Sequence, residues 1–294
     1  MTIRPRRSLL FMPGSNARAL EKARTLPADG IILDLEDSVA PDAKATAREQ
    51  VAAAVAARGF GRREVIVRVN GLDTPWWLED LGMTAKAKPD GILVPKVQSV
   101  AELTAIADRF GDIGADHAIR VWIMIETPLG VLRVEELAAA GRDAEMRLAG
   151  LVIGPNDIAR ETRMRSVPGR APMVPALMNC VFAARAHGLD ILDGVYNNFS
   201  DIDGFARECA QAREMGFDGK TLIHPGQIES CNAAFSPEAN DVATAREILA
   251  AFAKPENAGR GVIQIRGQMV ERLHQEMAHR TVAIADAIAA METG

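Results

Sequence analysis

The sequence predicts an α/β fold, a (β/α)8 TIM barrel with a C-terminal helical arm, and three observations predict it. Eight short apolar runs rich in β-branched residues recur at fairly even intervals. Their apolar character is continuous instead of alternating, which suits strands covered on both faces, as in a parallel sheet. Helix-like segments lie between the runs, and the chain has neither a Gly-rich turn after an early strand nor a P-loop. Those last absences count against the alternative, a doubly wound open sheet.

The strand runs fall at residues 8–12, 30–35, 65–69, 91–94, 121–125, 151–153, 190–193 and 220–223. The first helical segment, 16–23, leads with Asn16 as a cap and carries Ala17, Leu20 and Ala23 on one face. The second, 42–57, is Ala-rich, with Pro41 at its start and Gly59 just past its end. Residues 99–110 open with the capping box Ser99-Val100-Ala101-Glu102 and stop at Gly111. Segments 134–140, 175–187 and 201–215 continue the pattern. Beyond residue 234 the character changes: a helix over 237–253, a break at 254–259, a β-like stretch at 261–265 running into Gly267, and a last helix over 269–290. The expected division is a barrel over 1–234 and an arm over 235–294 that covers the barrel or makes oligomer contacts.

Composition narrows the function classes. With 34 Lys and Arg against 39 Asp and Glu, a net charge of -5 and no long basic run, nucleic acid and acidic membrane surfaces are excluded as main partners. The three cysteines, Cys180, Cys209 and Cys231, have no paired spacing, which argues against a disulfide framework and a Cys-based metal site. The apolar stretch at 9–12 is too short for a signal-peptide core, and no later run approaches about 18 apolar residues, so a soluble, cytoplasmic protein is expected.

In a parallel barrel the active site lies at the carboxyl ends of the strands. There the runs end in Asp34-Leu35-Glu36-Asp37, Arg68 to Asn70, Pro95-Lys96, Glu126-Thr127, Asn156-Asp157, Asp193-Gly194 and His224-Pro225. Some of these are ordinary helix caps, but Arg68 and Lys96 cannot cap an N-terminus. Clustered carboxylates at Glu36, Asp37, Glu126 and Asp157 repel unless a cation sits among them, and all-oxygen ligands suit Mg²⁺ or Mn²⁺. An Arg within a buried run must meet an anion: for Arg68 either a structural partner such as Glu36 or Asp37, or a substrate carboxylate held by its fork. His224, with no second His beside it, suits hydrogen bonding or packing better than metal ligation. The residues together imply a metal-assisted enzyme acting on a small, oxyanion-rich substrate.

Several ordered motifs resemble the HpcH/HpaI aldolase/citrate lyase family. They are Arg7-Ser8-Leu9-Leu10-Phe11-Met12-Pro13-Gly14, Leu33-Asp34-Leu35-Glu36-Asp37-Ser38-Val39-Ala40-Pro41 with Lys44 and Arg48, and Arg68-Val69-Asn70. Pro95-Lys96-Val97, Ile125-Glu126-Thr127, Asn156-Asp157-Ile158-Ala159, Gly219-Lys220 and Ile223-His224-Pro225 follow in the family's order. The resemblance implies a trimeric or hexameric Mg²⁺ enzyme acting on acyl-CoA thioesters. It implies Glu126 and Asp157 as metal ligands, Arg68 as the clamp on the acid part of the substrate, and Asp37 as its orienting neighbour. Phe11, Arg18 and Lys22 fall where the family contacts CoA, and Ile223 and His224 where it lines the thioester. Members with a C-terminal arm carry a catalytic Asp after a Gly-x-Met motif that reaches a neighbouring subunit's site; here Gly267-Gln268-Met269-Val270 leads to Glu271 instead.

The leading expectation is a carbon–carbon lyase cleaving malyl-CoA, β-methylmalyl-CoA or citramalyl-CoA to an acyl-CoA and glyoxylate or pyruvate. Its alternatives are a malyl-CoA thioesterase on the same scaffold and a citrate lyase β subunit acting on a carrier-protein thioester. The presence of Arg18, Lys22 and the long arm favours free CoA, and the presence of Arg68 with both proposed metal ligands counts against a non-catalytic homologue.

Overall fold

In the computed structural model, which describes residues 3–292, eight parallel strands close into a barrel in the order β1 to β8. They are β1 (Ser8–Pro13), β2 (Gly30–Asp34), β3 (Glu64–Arg68), β4 (Gly91–Val94), β5 (Arg120–Ile125), β6 (Leu148–Ile153), β7 (Asp190–Asp193) and β8 (Gly219–Leu222). Around them run α1 (Ala17–Ala23), α2 (Lys44–Ala56), α3 (Trp77–Ala87), α4 (Val100–Asp112), α5 (Pro128–Leu132), α6 (Val134–Ala140), α7 (Pro155–Thr162), α8 (Val174–Ala186), α9 (Ile202–Met215) and α10 (Ile228–Phe235). All eight expected strands are present. The caps read from sequence form too: Asn16 accepts from the Ala19 N–H, and Ser99 and Glu102 make a reciprocal capping box. Helix α3 was not expected. Its start at Trp76-Trp77 carries no capping side chain, and tertiary burial of Leu81, Thr84 and Ala85 selects the helix.

Each strand buries both faces, as its continuous apolar character requires. Outward residues such as Leu10, Ile31, Val67, Ile123 and Ile191 pack in the shell that includes helix residues such as Val51, Phe110 and Leu177. Inward, Leu9, Ile32, Ile66, Leu93, Trp122, Met124, Val152 and Leu192 fill the barrel. The amino end is closed by charge: Arg6 pairs with both Glu64 and Asp190 and lies over the Trp122 ring, 5.0 Å from its centroid. The opposite, carboxyl end carries Asp34, Arg68 and, directly after β5, Glu126.

Residues 6–235 form one compact unit, and the described residues 3–5 with 236–292 form another. In the second, α11 (Ala239–Phe252), the antiparallel pair β9 (Val262–Ile265) and β10 (Gln268–Glu271), and α12 (Arg272–Glu292) follow in order. Phe252, Ile263 and Val270 are its small core. The last helix starts later than sequence periodicity suggests. Arg266 and Gly267 both adopt positive φ (50° and 80°), the two-residue turn that matches strand twist, so residues 268–271 pair as a hairpin strand. Glu271 thus ends a strand and does not open a helix. No helix among the described residues is long and apolar enough to cross a membrane.

Gly150 on β6 lies against the barrel's largest buried side chain. A Cβ there would strike the Trp122 ring and sit 2.6 Å from the Asp190 carbonyl oxygen. Gly150→Ala is expected to lower stability by about 2 kcal/mol through overpacking. The midpoint of urea unfolding, followed by tryptophan fluorescence, measures it, and an unchanged midpoint would show that the barrel interior relaxes freely.

Candidate active site

Period-two alternation on β2 turns Ile32 and Asp34 inward, and the β2–β3 register sets Asp34 beside Arg68, the last residue of β3. Arg68 is buried and grips Asp34 with its fork: Nε donates to Oδ1 and Nη2 to Oδ2, both at 2.7 Å. Its Nη1 lies 2.8 Å from Glu36 Oε2 and 3.7 Å from Asp37 Oδ2. The guanidinium also sits over the Phe11 ring of β1, 4.7 Å from its centroid. Burial alone would depress the Arg68 pKa, but Asp34 and Glu36 hold it above its ordinary value. In turn, Arg68 outweighs burial at Asp34 and holds that carboxyl below its ordinary range. The fork that sequence reading assigned to a substrate, Glu36 or Asp37 belongs to Asp34, and Nη1 is the edge that meets the rim.

Glu36 and Glu126 supply buried negative charge next to this pair. Lys96 Nζ donates to Glu36 Oε1 at 2.5 Å, while Glu36 Oε2 has no hydrogen-bond partner and is held near Arg68 by charge alone. Burial raises the Glu36 carboxyl despite both cations. Glu126, directly after β5, is 2% exposed and accepts the Lys96 backbone N–H at 2.8 Å on Oε1. Burial first, and the charge on Glu36 second, push its pKa up to about 8. Gly154 makes room for it, since a Cβ at that position would collide with the Glu126 carboxylate. Asp157, the third residue of α7, is close enough for its charge to bear on Glu126, and it pairs with Arg160 at 2.7 Å.

The loop that carries Glu36 and Asp37 is held from behind. Lys44 Nζ donates to the Leu35 and Glu36 carbonyls, each at 2.8 Å, and to Asn70 Oδ1 at 2.7 Å. Asn70 Nδ2 donates to Asp80 Oδ2 at 2.6 Å, and Arg48 Nε donates to Asp80 Oδ1 at 2.6 Å. Lys44 and Asn70 donate all of their side-chain N–H protons within this buried chain of contacts, which fixes the loop geometry.

The other residues singled out by sequence lie around or apart from this cluster. Arg18 and Lys22 are exposed, one turn apart on α1. Ile223 and His224 follow β8. Ile223 is 40% exposed; His224 accepts the Gly226 N–H on Nδ1 at 3.1 Å and stacks on Phe199 at 4.9 Å. Glu271 belongs to the other unit, where its N–H donates to His274 Nδ1 at 3.0 Å. Sequence reading gave no role to Asp34 or Lys96. The inward alternation of β2 was the available signal for Asp34; Lys96 acts partly through its backbone, which no residue type announces.

The donor chemistry fits a hard divalent cation. Glu126 and Asp157 stand at neighbouring strand ends, and the buried Glu126 charge lacks sufficient local compensation. Magnesium takes one or two protein carboxylates and completes its octahedron with water and substrate oxygens. Among the described residues no group of three or more His, Cys, Asp or Glu converges as a closed cage. The two-carboxylate arrangement therefore matches an open site better than a structural one.

Residues 7–225 match the profile of the HpcH/HpaI aldolase/citrate lyase family. The chain is 48% identical over 286 residues to a (3S)-malyl-CoA thioesterase of Cereibacter sphaeroides, covering 97% of this chain and 96% of that protein. It is 34% identical over 292 residues to citrate lyase subunit beta of Leuconostoc mesenteroides subsp. cremoris, with 97% and 94% covered. In structure it is similar to CitE of Mycobacterium tuberculosis in complex with magnesium, acetoacetate and coenzyme A. That likeness has a TM-score of 0.74 and 27% identity, and covers 97% of this chain and all of the other. The nearly full-length likeness to thioesterases corrects the leading expectation from sequence: carbon–carbon cleavage gives way to the hydrolase alternative. The chain belongs to the HpcH/HpaI aldolase/citrate lyase family.

Proposed function

We propose that this protein is a thioesterase that hydrolyses (3S)-malyl-CoA or a closely similar hydroxydicarboxylic acyl-CoA to the free acid and CoA. The observation that carries the reading is the 48% identity along almost the whole chain to a protein of that activity. The barrel mouth supports it, because it combines an arginine edge for a carboxylate with two carboxylates suited to Mg²⁺.

In this reading Arg68, oriented by Asp34, offers Nη1 to the free carboxylate of the acyl group, with Asp37 beside it. The phenyl ring of Phe11 supports the guanidinium and floors the acyl pocket. Glu126 and Asp157 would hold Mg²⁺, which when bound supplies neutralising charge for substrate oxygens and polarises them. Ile223 and His224 would line the thioester end, and Arg18 and Lys22 on exposed α1 suit the CoA phosphates. Glu271 is the candidate for the group that takes a proton from attacking water. Its assignment comes from the family motif, and its carboxylate provides the basicity the step needs.

Incubation of the purified protein with (3S)-malyl-CoA and Mg²⁺ is expected to release a free thiol and malate in equal amounts, with loss of activity in EDTA. Acetyl-CoA and glyoxylate as products would overturn the reading. Arg68→Lys keeps the charge but not the fork that Asp34 orients. It is expected to lose at least about a hundredfold in kcat/KM, or about 2.7 kcal/mol of transition-state stabilisation, when initial rates are compared. Glu271→Gln is expected to fold and bind CoA normally while losing most turnover; a wild-type kcat would remove Glu271 from the reaction.

A further inference from the structure

Lys96 plays no part in the roles assigned above, yet its conformation is unusual. It follows Pro95 beyond β4 with φ 57°, the left-handed region that lysine rarely occupies. Lys88, Arg147 and Arg163 share that region, but each closes a helical segment as its C-cap. Lys96 closes no helix. Its backbone is bent at the rim itself, where unusual conformations tend to serve the site.

The bend lets one residue hold two carboxylates. The Lys96 N–H donates to Glu126 Oε1 at 2.8 Å, and its ammonium donates to Glu36 Oε1 at 2.5 Å. Glu36 is thereby a third carboxylate whose charge, like that of Asp157, bears on Glu126, and like Glu126 it is buried. Its Oε2 has no hydrogen bond, only the charge of Arg68 Nη1 at 2.8 Å. A hard cation at Glu126 would attract that oxygen. Three protein carboxylates would bind Mg²⁺ more tightly than two and would leave it fewer open positions. An open position is what separates a catalytic metal site from a structural one.

We infer that Lys96 is a positioning residue: its ammonium, with Arg68, keeps Glu36 out of the metal's coordination, reserving positions on the ion for substrate and water oxygens. The inference rests on the Mg²⁺ reading of the preceding subsection. It also explains why a lysine occupies a place that a glycine would fill without strain.

Calorimetric titration of Mg²⁺ into the substrate-free protein tests it without any turnover. Lys96→Gly keeps the left-handed backbone and the N–H to Glu126 while removing the ammonium. Its Mg²⁺ dissociation constant is expected to fall about tenfold, while KM for (3S)-malyl-CoA rises at least tenfold and the thermal midpoint stays near wild type. Adding Glu36→Gln to Lys96→Gly is expected to return Mg²⁺ affinity to near the wild-type value, because the competing carboxylate is gone. Lys96→Asn, which also tolerates this φ, is the second variant should the glycine form fold poorly. Unchanged or weaker Mg²⁺ binding in either single variant, or no reversal in the double variant, overturns the role of Lys96. A wild-type protein that takes up no Mg²⁺ overturns the metal reading itself, and this inference with it.

Discussion

Within the barrel mouth, charge balance decides where each side chain stands. Arg68 is a buried cation at the end of β3, and such a group is tolerable only with anions fixed around it. Asp34 meets it through two parallel hydrogen bonds because the β2–β3 register places them side by side. Glu36 takes the third guanidinium nitrogen, Lys96 takes the other oxygen of Glu36, and Glu126 accepts the Lys96 N–H. The five residues come from four loops or strand ends, yet none can shift without uncovering a buried charge. This is why the site can be rigid although it is assembled almost wholly from strand ends and loops.

Rigidity also comes from below and behind. Arg6, Glu64 and Asp190 close the amino end, and Trp122 fills the layer above them, so the interior is packed. Lys44, Asn70, Asp80 and Arg48 hold the loop after β2 through its carbonyls as well as its side chains. Burial lowers the Lys44 pKa, and its three oxygen partners satisfy all of its protons. The motif residues Lys44 and Arg48 serve here to place others.

The same scaffold carries lyases and thioesterases among the relatives, and the fold does not choose between them. Both chemistries need an anchored carboxylate and neutralised oxygens at the barrel mouth. They differ in whether water reaches the thioester carbon or a carbon–carbon bond breaks beside it. The present rim serves either requirement, so full-length similarity to thioesterases is what distinguishes them for this chain.

By itself, the sequence pointed to the barrel, because eight continuously apolar runs suit strands covered on both faces and the lack of a Gly-rich turn or P-loop counts against a doubly wound sheet. It also located the rim, where charged residues end those runs, and it marked Glu126, Asp157 and Arg68 among the residues there. The second strand of the hairpin, 268–271, escaped it because two consecutive positive-φ residues, one of them Arg266, override a helix-like pattern. Only the tertiary structure decided that the Arg68 fork belongs to Asp34, that Glu36 keeps an unsatisfied oxygen, and that the Lys96 backbone bends onto Glu126. These are pairings between strands far apart in the chain, set by barrel register and by the energy of buried charge. Neither quantity exists until the barrel has closed.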